Sequence, residues 1–142
     1  MSIKPRKSDL QLVPVFGDDD KRFLYEMLET RPAYAAISHK EMPNYESHCA
    51  FIDSNPYEVW CIIRYNGERA GNIYLTKHNE IGVFLLQTKQ GRGIGAHAVR
   101  KLIAQCGHRR YLANISPQNA GSSKFFERLG FRHVQNTYEL AG

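Results

Sequence analysis

Gln90-Gly91-Arg92-Gly93-Ile94-Gly95-Ala96 is the stretch whose reading decides the fold. Three glycines at alternate positions let successive backbone N–H groups turn toward one point. An apolar stripe of Ile94, Ala98, Leu102 and Cys106, with Val99 and Ile103 beside it, predicts a helix that starts inside this loop. A helix N-terminus presents free N–H groups and positive partial charge, so loop and helix together form a site for a phosphate or pyrophosphate. The other reading of the loop taken alone is a flexible turn ahead of a tight helix start.

Two phosphate motifs are excluded. A P-loop needs Lys followed by Ser or Thr after the last glycine, and Ala96-His97 stands there. Gly91, Gly93 and Ala96 fit G-x-G-x-x-A, but the dinucleotide fold needs the glycine turn directly off a strand and an acidic residue about 20 positions on. Here Gln87-Thr88-Lys89-Gln90 intervenes, and the following strand, RRYLANI, carries no carboxylate.

Working outward, residues 57–65 (YEVWCIIRY) read as a strand, Asn66-Gly67 as a hairpin turn, 68–77 as its antiparallel partner, and 80–86 as a third strand after a turn at His78-Asn79. Toward the N-terminus, 10–16 reads as a first strand. Gly17 and Asp18-Asp19-Asp20 open a helix marked by Phe23, Leu24, Met27 and Leu28, which Arg31-Pro32 ends. A second helix opens at Pro43-Asn44 and runs through Phe51, with Asn55-Pro56 stopping it. Toward the C-terminus, Gly107 caps the helix that follows the glycine loop and 110–115 reads as a strand. A short helix follows over 119–129, striped by Ser122, Phe125, Phe126 and Leu129 and ended by Gly130, and 131–140 gives one or two closing strands. The expected order is β-α-α-β-β-β-α-β-α-β, an α/β sheet with an antiparallel meander in its N-terminal half and about four helices.

A length of 142 residues suits one domain, expected over 10–142 behind a basic flexible tail at 1–9. With 42% hydrophobic and 23% charged residues the composition is globular, no apolar run is long enough to span a membrane, and no secretory signal is readable, so a cytoplasmic protein is expected. The net charge of +5 fits phosphates on a small cofactor as well as nucleic acid. Cys49, Cys61 and Cys106 are odd in number, lack a CxxC spacing and lie in apolar stretches. They are expected as reduced packed thiols, with no metal site.

Gln90-Gly91-Arg92-Gly93-Ile94-Gly95 resembles the Q/R-x-x-G-x-G/A signature of the GNAT family, the GCN5-related N-acetyltransferases. Asn119, Ser122, Phe125, Phe126, Gly130 and Phe131 resemble the family's later signature, except that its usual tyrosine is Phe126. The spacing of the two signatures and the element order from about 10 to 140 resemble the same fold. The resemblance implies a mixed sheet in which two splayed parallel strands, 80–86 and 110–115, hold acetyl-CoA, and an activity of acetyl transfer to a primary amine by direct attack in a ternary complex.

Carried over residue by residue, the resemblance places the pyrophosphate on the amides of Gly91, Arg92, Gly93, Ile94, Gly95 and Ala96 after Gln90, with Arg92 and Lys124 adding charge. Phe84, Leu85 and Leu86 correspond to a bulge whose freed backbone groups pair with the pantetheine arm, with an N–H at Leu85 or Leu86 as oxyanion donor. Asn119 corresponds to a pantetheine contact and is equally an N-cap for its helix. Asn114 is a further cofactor contact, and Ser122 and Phe126 line the same place. Glu80 corresponds to the base that takes the amine proton. Phe126 has no proton to give, so two readings of the acid stay open: Ser122, one turn earlier, brings a hydroxyl to the sulfur, or the thiolate departs unprotonated, feasible for a thiol of pKa ~8.5.

The acceptor is expected between the loop at 31–43 and the central strands. Tyr34, His39 and Glu41 on that loop, Asn72 and Tyr74 on the hairpin, and the nearby aromatics Tyr57 and Trp60 make a mixed polar and aromatic pocket. It favours a small polar amine, such as an amino sugar or a sugar nucleotide, acted on by a monomer or homodimer. Two alternatives stand beside this: acetylation of protein N-termini or lysines, and a non-enzymatic cofactor-sensing or nucleic-acid-binding module.

Overall fold

The computed structural model describes residues 9–30 and 42–142. Four strands form one sheet in the order β1 (Leu10–Pro14), β2 (Val59–Tyr65), β3 (Glu68–Leu75), β4 (Ile81–Leu85), every neighbouring pair antiparallel. The β2–β3 turn has φ of 52° at Asn66 and 81° at Gly67, the left-handed pair that matches the twist of a two-residue hairpin. A register irregularity falls between Ile63 and Arg64, whereas β3 and β4 pair without a shift from Gly71↔Leu85 to Leu75↔Ile81.

Strand alternation gives the sheet two apolar faces. Cys61, Ile63, Ile73, Leu75 and Ile81 meet α3 (Ile94–Cys106) through Ile94, Ala98, Val99 and Leu102. These are the residues of the predicted stripe, and each fully buried Ile, Leu or Val contributes roughly 1.5–3 kcal/mol. On the other face Ile62 meets Leu24 of α1 (Gly17–Thr30) and Ile52 of α2 (Tyr45–Asp53), with Phe23 and Trp60 beside them. Asp20, buried in the first turn of α1, accepts from the Phe16 N–H and from Arg69 Nε of β3, both at 2.9 Å, so the acidic helix start is also tied to the sheet. Asn44 caps α2 through the Ser47 N–H at 2.7 Å.

The C-terminal part departs from expectation. In place of a strand over 110–115 there is one parallel bridge, Glu80↔Leu112, closed by Ile81 N–H to Leu112 O (2.7 Å) and Leu112 N–H to Asn79 O (2.8 Å). No other backbone bond joins this segment to β4 among the described residues. The pair parts after a single contact, which a β-propensity reading of RRYLANI does not anticipate. After α4 (Ala120–Arg128), the chain turns as Phe131 N–H bonds Phe126 O at 3.0 Å and the two rings meet at 5.1 Å. The expected closing strands at 131–140 are not formed, and Tyr138 and Leu140 are 89% and 97% exposed.

Cys49, Cys61 and Cys106 are free thiols. Burial pushes Cys61 up to about 11, with Cys106 adding to the shift, and burial also raises Cys106. Neither is an activated nucleophile. Among the described residues no helix is long and apolar enough to cross a membrane, and no group of three His, Cys, Asp or Glu is placed to hold a metal.

Candidate active site

The glycine loop becomes the start of α3. Gly91 and Gly93 have φ of 75° and 77°, a left-handed conformation that side chains rarely adopt. Gly93 is the N-cap, no side chain caps the helix, and its first turn holds no acidic residue. The first helical bond is His97 N–H to Gly93 O at 3.1 Å, so the N–H groups of Ile94, Gly95 and Ala96 have no acceptor within the helix. Arg92 is exposed beside them. A Cβ on Gly95 would come 3.2 Å from the Phe125 ring and 3.4 Å from Leu85, so α3, α4 and β4 pack tightly at this point. Gln90 reaches back to donate to Leu85 O at 3.4 Å.

β4 presents an open edge next to this helix start. Leu86 N–H donates to Ala70 O at 2.9 Å on the β3 side, and Ile81 N–H donates to Leu112 O at 2.7 Å on the other side. Peptide groups alternate along a strand, so the N–H and C=O groups of Val83 and Leu85 face away from β3, along the edge that 110–115 leaves uncovered. The continuous register shows no bulge at 84–86. The expected bulge is therefore not what frees these groups; the early parting of the parallel pair is. Of the two amides expected as donors, Leu85 faces the open edge and Leu86 is held by Ala70.

At the other end of β4, Glu80 sits where the parallel pair parts. Its Oε1 accepts from Thr76 Oγ1 at 3.0 Å, and its Oε2 accepts from Asn114 Nδ2, the expected cofactor contact. The Thr76 hydroxyl in turn accepts from the N–H groups of Glu80 (3.0 Å) and His78 (3.2 Å).

Glu80, Gly82 and Phe84 point to the same side of the sheet as Asn72 and Tyr74, the side covered by α1 and α2. A Cβ on Gly82 would lie 2.1 Å from Tyr74 Cζ and 2.4 Å from its hydroxyl oxygen. The Tyr74 ring thus crosses from β3 and occupies the side-chain slot of residue 82, between Glu80 and Phe84. Tyr57 stacks on Tyr74 with centroids 4.1 Å apart and planes 7° apart, Phe84 follows at 6.2 Å, and Trp60 meets Tyr57 edge-on at 4.8 Å. Asn72 is 6% exposed, and its amide is used by Trp60 Nε1 (3.1 Å) and Met27 Sδ (3.5 Å).

Asn119 is the N-cap of α4, its Oδ1 accepting from Ser122 N–H at 3.1 Å. Ser122 is half-buried, while Phe126 is 7% exposed and wedged between the Phe125 and Phe131 rings. Tyr34, His39 and Glu41 lie outside the described residues. The structure thus brings together the glycine loop with Leu85, and separately Glu80 with Asn114, Tyr74 and Phe84. Sequence reading misses Val83, Thr76 and Gly82. The lone glycine inside IGVFL is a signal of close approach; the roles of Val83 and Thr76 need the register and the turn.

A model of the acetyltransferase (GNAT) family matches residues 22–131. Comparison with the curated proteins gives no match. Among solved structures, the chain is similar to a domain from Methanocaldococcus jannaschii DSM 2661 (26% identity, 92% of each chain covered, TM-score 0.77). It is also similar in fold to a dodecameric spermidine N-acetyltransferase from Vibrio cholerae (14%, 90% of this chain and 82% of that one, TM-score 0.69). A third likeness is to yncA of Salmonella typhimurium, solved with its cofactor acetyl-CoA (21%, 89% and 82%, TM-score 0.68).

Proposed function

The chain belongs to the GNAT family of acetyltransferases and uses acetyl-CoA, and from that premise we propose that it acetylates the primary amine of a small polar acceptor by direct attack in a ternary complex. The observation that carries the reading is the uncapped start of α3 lying beside the open edge of β4. These residues fit the cofactor: unpaired helix N–H groups suit a pyrophosphate, and an uncovered strand edge suits the amides of an extended arm.

Acetyl-CoA, when bound, supplies the acetyl group as a thioester. The amides of Ile94, Gly95 and Ala96 hold the pyrophosphate, Gly91 and Gly93 let the backbone approach it, and Arg92 adds charge at the rim. Val83 and Leu85 would hold the arm, and a Leu85 or Val83 N–H would serve as the donor to the acyl oxygen, worth about 10²–10³ in rate where such donors have been removed. Glu80 takes the proton of the acceptor amine. Asn119 combines its cap with a contact to the arm, and Ser122 lies one turn before Phe126 on the same helix.

The acceptor lies on the α1–α2 side of the sheet, where Glu80 stands at the end of the row formed by Tyr74 and Phe84. A carboxylate beside aromatic rings suits an ammonium group, and Tyr57 and Trp60 offer apolar surface to a compact body such as an amino sugar. The likeness to a spermidine N-acetyltransferase supports a small amine as well. The test is a thiol-release assay with amino sugars, sugar nucleotides, polyamines and N-terminal peptides at equal concentration. The expected result is turnover with one or more of the small amines and none with peptides; turnover with peptides alone overturns the assignment.

A further inference from the structure

Glu80 is held in a way that its place in the strand does not require. A hydroxyl has one hydrogen to donate and two lone pairs to accept with. The Thr76 hydroxyl accepts from Glu80 N–H at 3.0 Å and from His78 N–H at 3.2 Å, which fills both lone pairs and leaves its hydrogen aimed at Glu80 Oε1, 3.0 Å away. Thr76 is itself fixed in the β3–β4 turn, its N–H donating to Glu80 O at 2.9 Å and its O accepting from Asn79 N–H at 3.1 Å. The second oxygen, Oε2, receives the Asn114 amide from the segment across the gap. Two donors from two separate segments therefore fix both carboxylate oxygens at the point where the chain parts to form the cleft.

We propose that Thr76 and Asn114 are positioning residues of the transfer, acting through Glu80. The inference rests on Glu80 as the base and adds how its carboxylate is oriented. When the acceptor loses its proton, the N–H bond breaks, the electron pair stays on nitrogen and an O–H bond forms on the carboxylate. Oε1 already accepts the Thr76 hydrogen, and the Thr76 hydroxyl could accept in return only by giving up one of its two N–H bonds. Asn114 is a side-chain amide with a carbonyl as well as an NH₂ group, so rotation about its last torsion turns the donor at Oε2 into an acceptor. Each oxygen keeps a second lone pair for the proton, and what the two donors fix is the orientation of the carboxylate. The proton leaves to solvent from the Glu80 carboxyl after release of the amide product.

The test compares Thr76→Val, Thr76→Ser, Asn114→Ala and Glu80→Gln with the wild type. It measures kcat and acceptor KM, the coenzyme A dissociation constant by calorimetry without acceptor, and the thermal midpoint. Thr76→Val and Asn114→Ala are each expected to lower kcat about tenfold, with the coenzyme A constant within about twofold and the midpoint unchanged. Thr76→Ser, which keeps the hydroxyl, is expected to restore most of the rate. A kcat at the wild-type level in both Thr76→Val and Asn114→Ala, with Glu80→Gln down about 10²-fold, overturns the inference while the base assignment stands. A full rate in Glu80→Gln overturns the base assignment and the inference with it. Losses of rate that run in step with loss of coenzyme A affinity or of folding, and that serine does not restore, also overturn it, because they mark a purely structural role. The Asn114 side chain makes its bond at an exposed position, so Asn114→Ala remains decisive even if Thr76→Val does not fold.

Discussion

On the proposed reading, the two ends of β4 act in different ways. At Leu85 the strand works through its backbone: an edge of peptide groups, a neighbouring helix start without a cap, and glycines at left-handed φ. At Glu80 it works through side chains, each fixed by a partner: the carboxylate by Thr76 and Asn114, and the aromatic row by the missing side chain of Gly82. A backbone site is specified by conformation and tolerates exchange of most side chains around it. A side-chain site is specified by residue identity, and single atoms decide it. Cofactor binding should therefore fail when a conformation is changed, and acceptor handling when an atom is.

The largest effect tests the backbone end. Gly93→Val places a β-branched side chain at φ 77°, a strained conformation costing on the order of 1–3 kcal/mol for a residue that has to hold it. The helix start is expected to shift to relieve that strain, taking the unpaired N–H groups with it. The predicted result is a loss of coenzyme A affinity of about 100-fold or more by calorimetry, with the helical circular dichroism retained. Unchanged affinity in the folded variant moves the cofactor site away from this loop.

Second in size is the side-chain end. Gly82→Ala adds a carbon that would stand 2.1 Å from Tyr74 Cζ, so the ring has to leave its slot and the stack with Tyr57 opens. Overpacking of this kind costs typically 1–3 kcal/mol, visible as a lower thermal midpoint. The acceptor KM is expected to rise about tenfold while coenzyme A binds as before, since Leu85 and the loop are untouched. If both constants move together, the two ends are not independent and the contrast between them fails.

What the sequence shows of this molecule follows how local each signal is. The Asn66-Gly67 hairpin, the acidic start of α1 and the stripe of α3 are written in neighbouring residues and appear in the structure as read. The glycine loop likewise becomes the start of α3, with Gly91 and Gly93 at left-handed φ. The pairing of 110–115 depends on a partner thirty residues away, and it amounts to one bridge at Leu112. The polar-apolar alternation of Val134, Tyr138 and Leu140 is a strand pattern, yet no strand forms over 131–140. Within the candidate site, Glu80 and Leu85 come from the family resemblance, but which amides face the open edge is not legible, because strand polarity is set by register with β3. Thr76 reads as an ordinary strand-end threonine; its role comes from the turn that carries it back to Glu80.

The smallest expected effect concerns α4, where the family's usual tyrosine is Phe126. Restoring it by Phe126→Tyr sets a hydroxyl into a position that is 7% exposed and lined by the Phe125 and Phe131 rings. A buried hydroxyl without a partner costs about 1–3 kcal/mol, so this variant is expected to lower the thermal midpoint without raising the rate. Ser122 is half-buried one turn earlier, where residues four apart on a helix share a face, and its N–H is already committed to the cap at Asn119. Its hydroxyl is the remaining candidate to assist the departing thiolate. A thiol of pKa ~8.5 leaves readily by itself, so Ser122→Ala is predicted to reduce kcat by no more than a few-fold, with the loss greatest at low pH, where a thiolate is the poorer product. The measurement is kcat against pH for the wild type and both variants. Superimposable profiles for the wild type and Ser122→Ala remove the serine from the chemistry. They leave the amides of β4 and the carboxylate of Glu80 as the groups proposed to act on the acyl and amine centres.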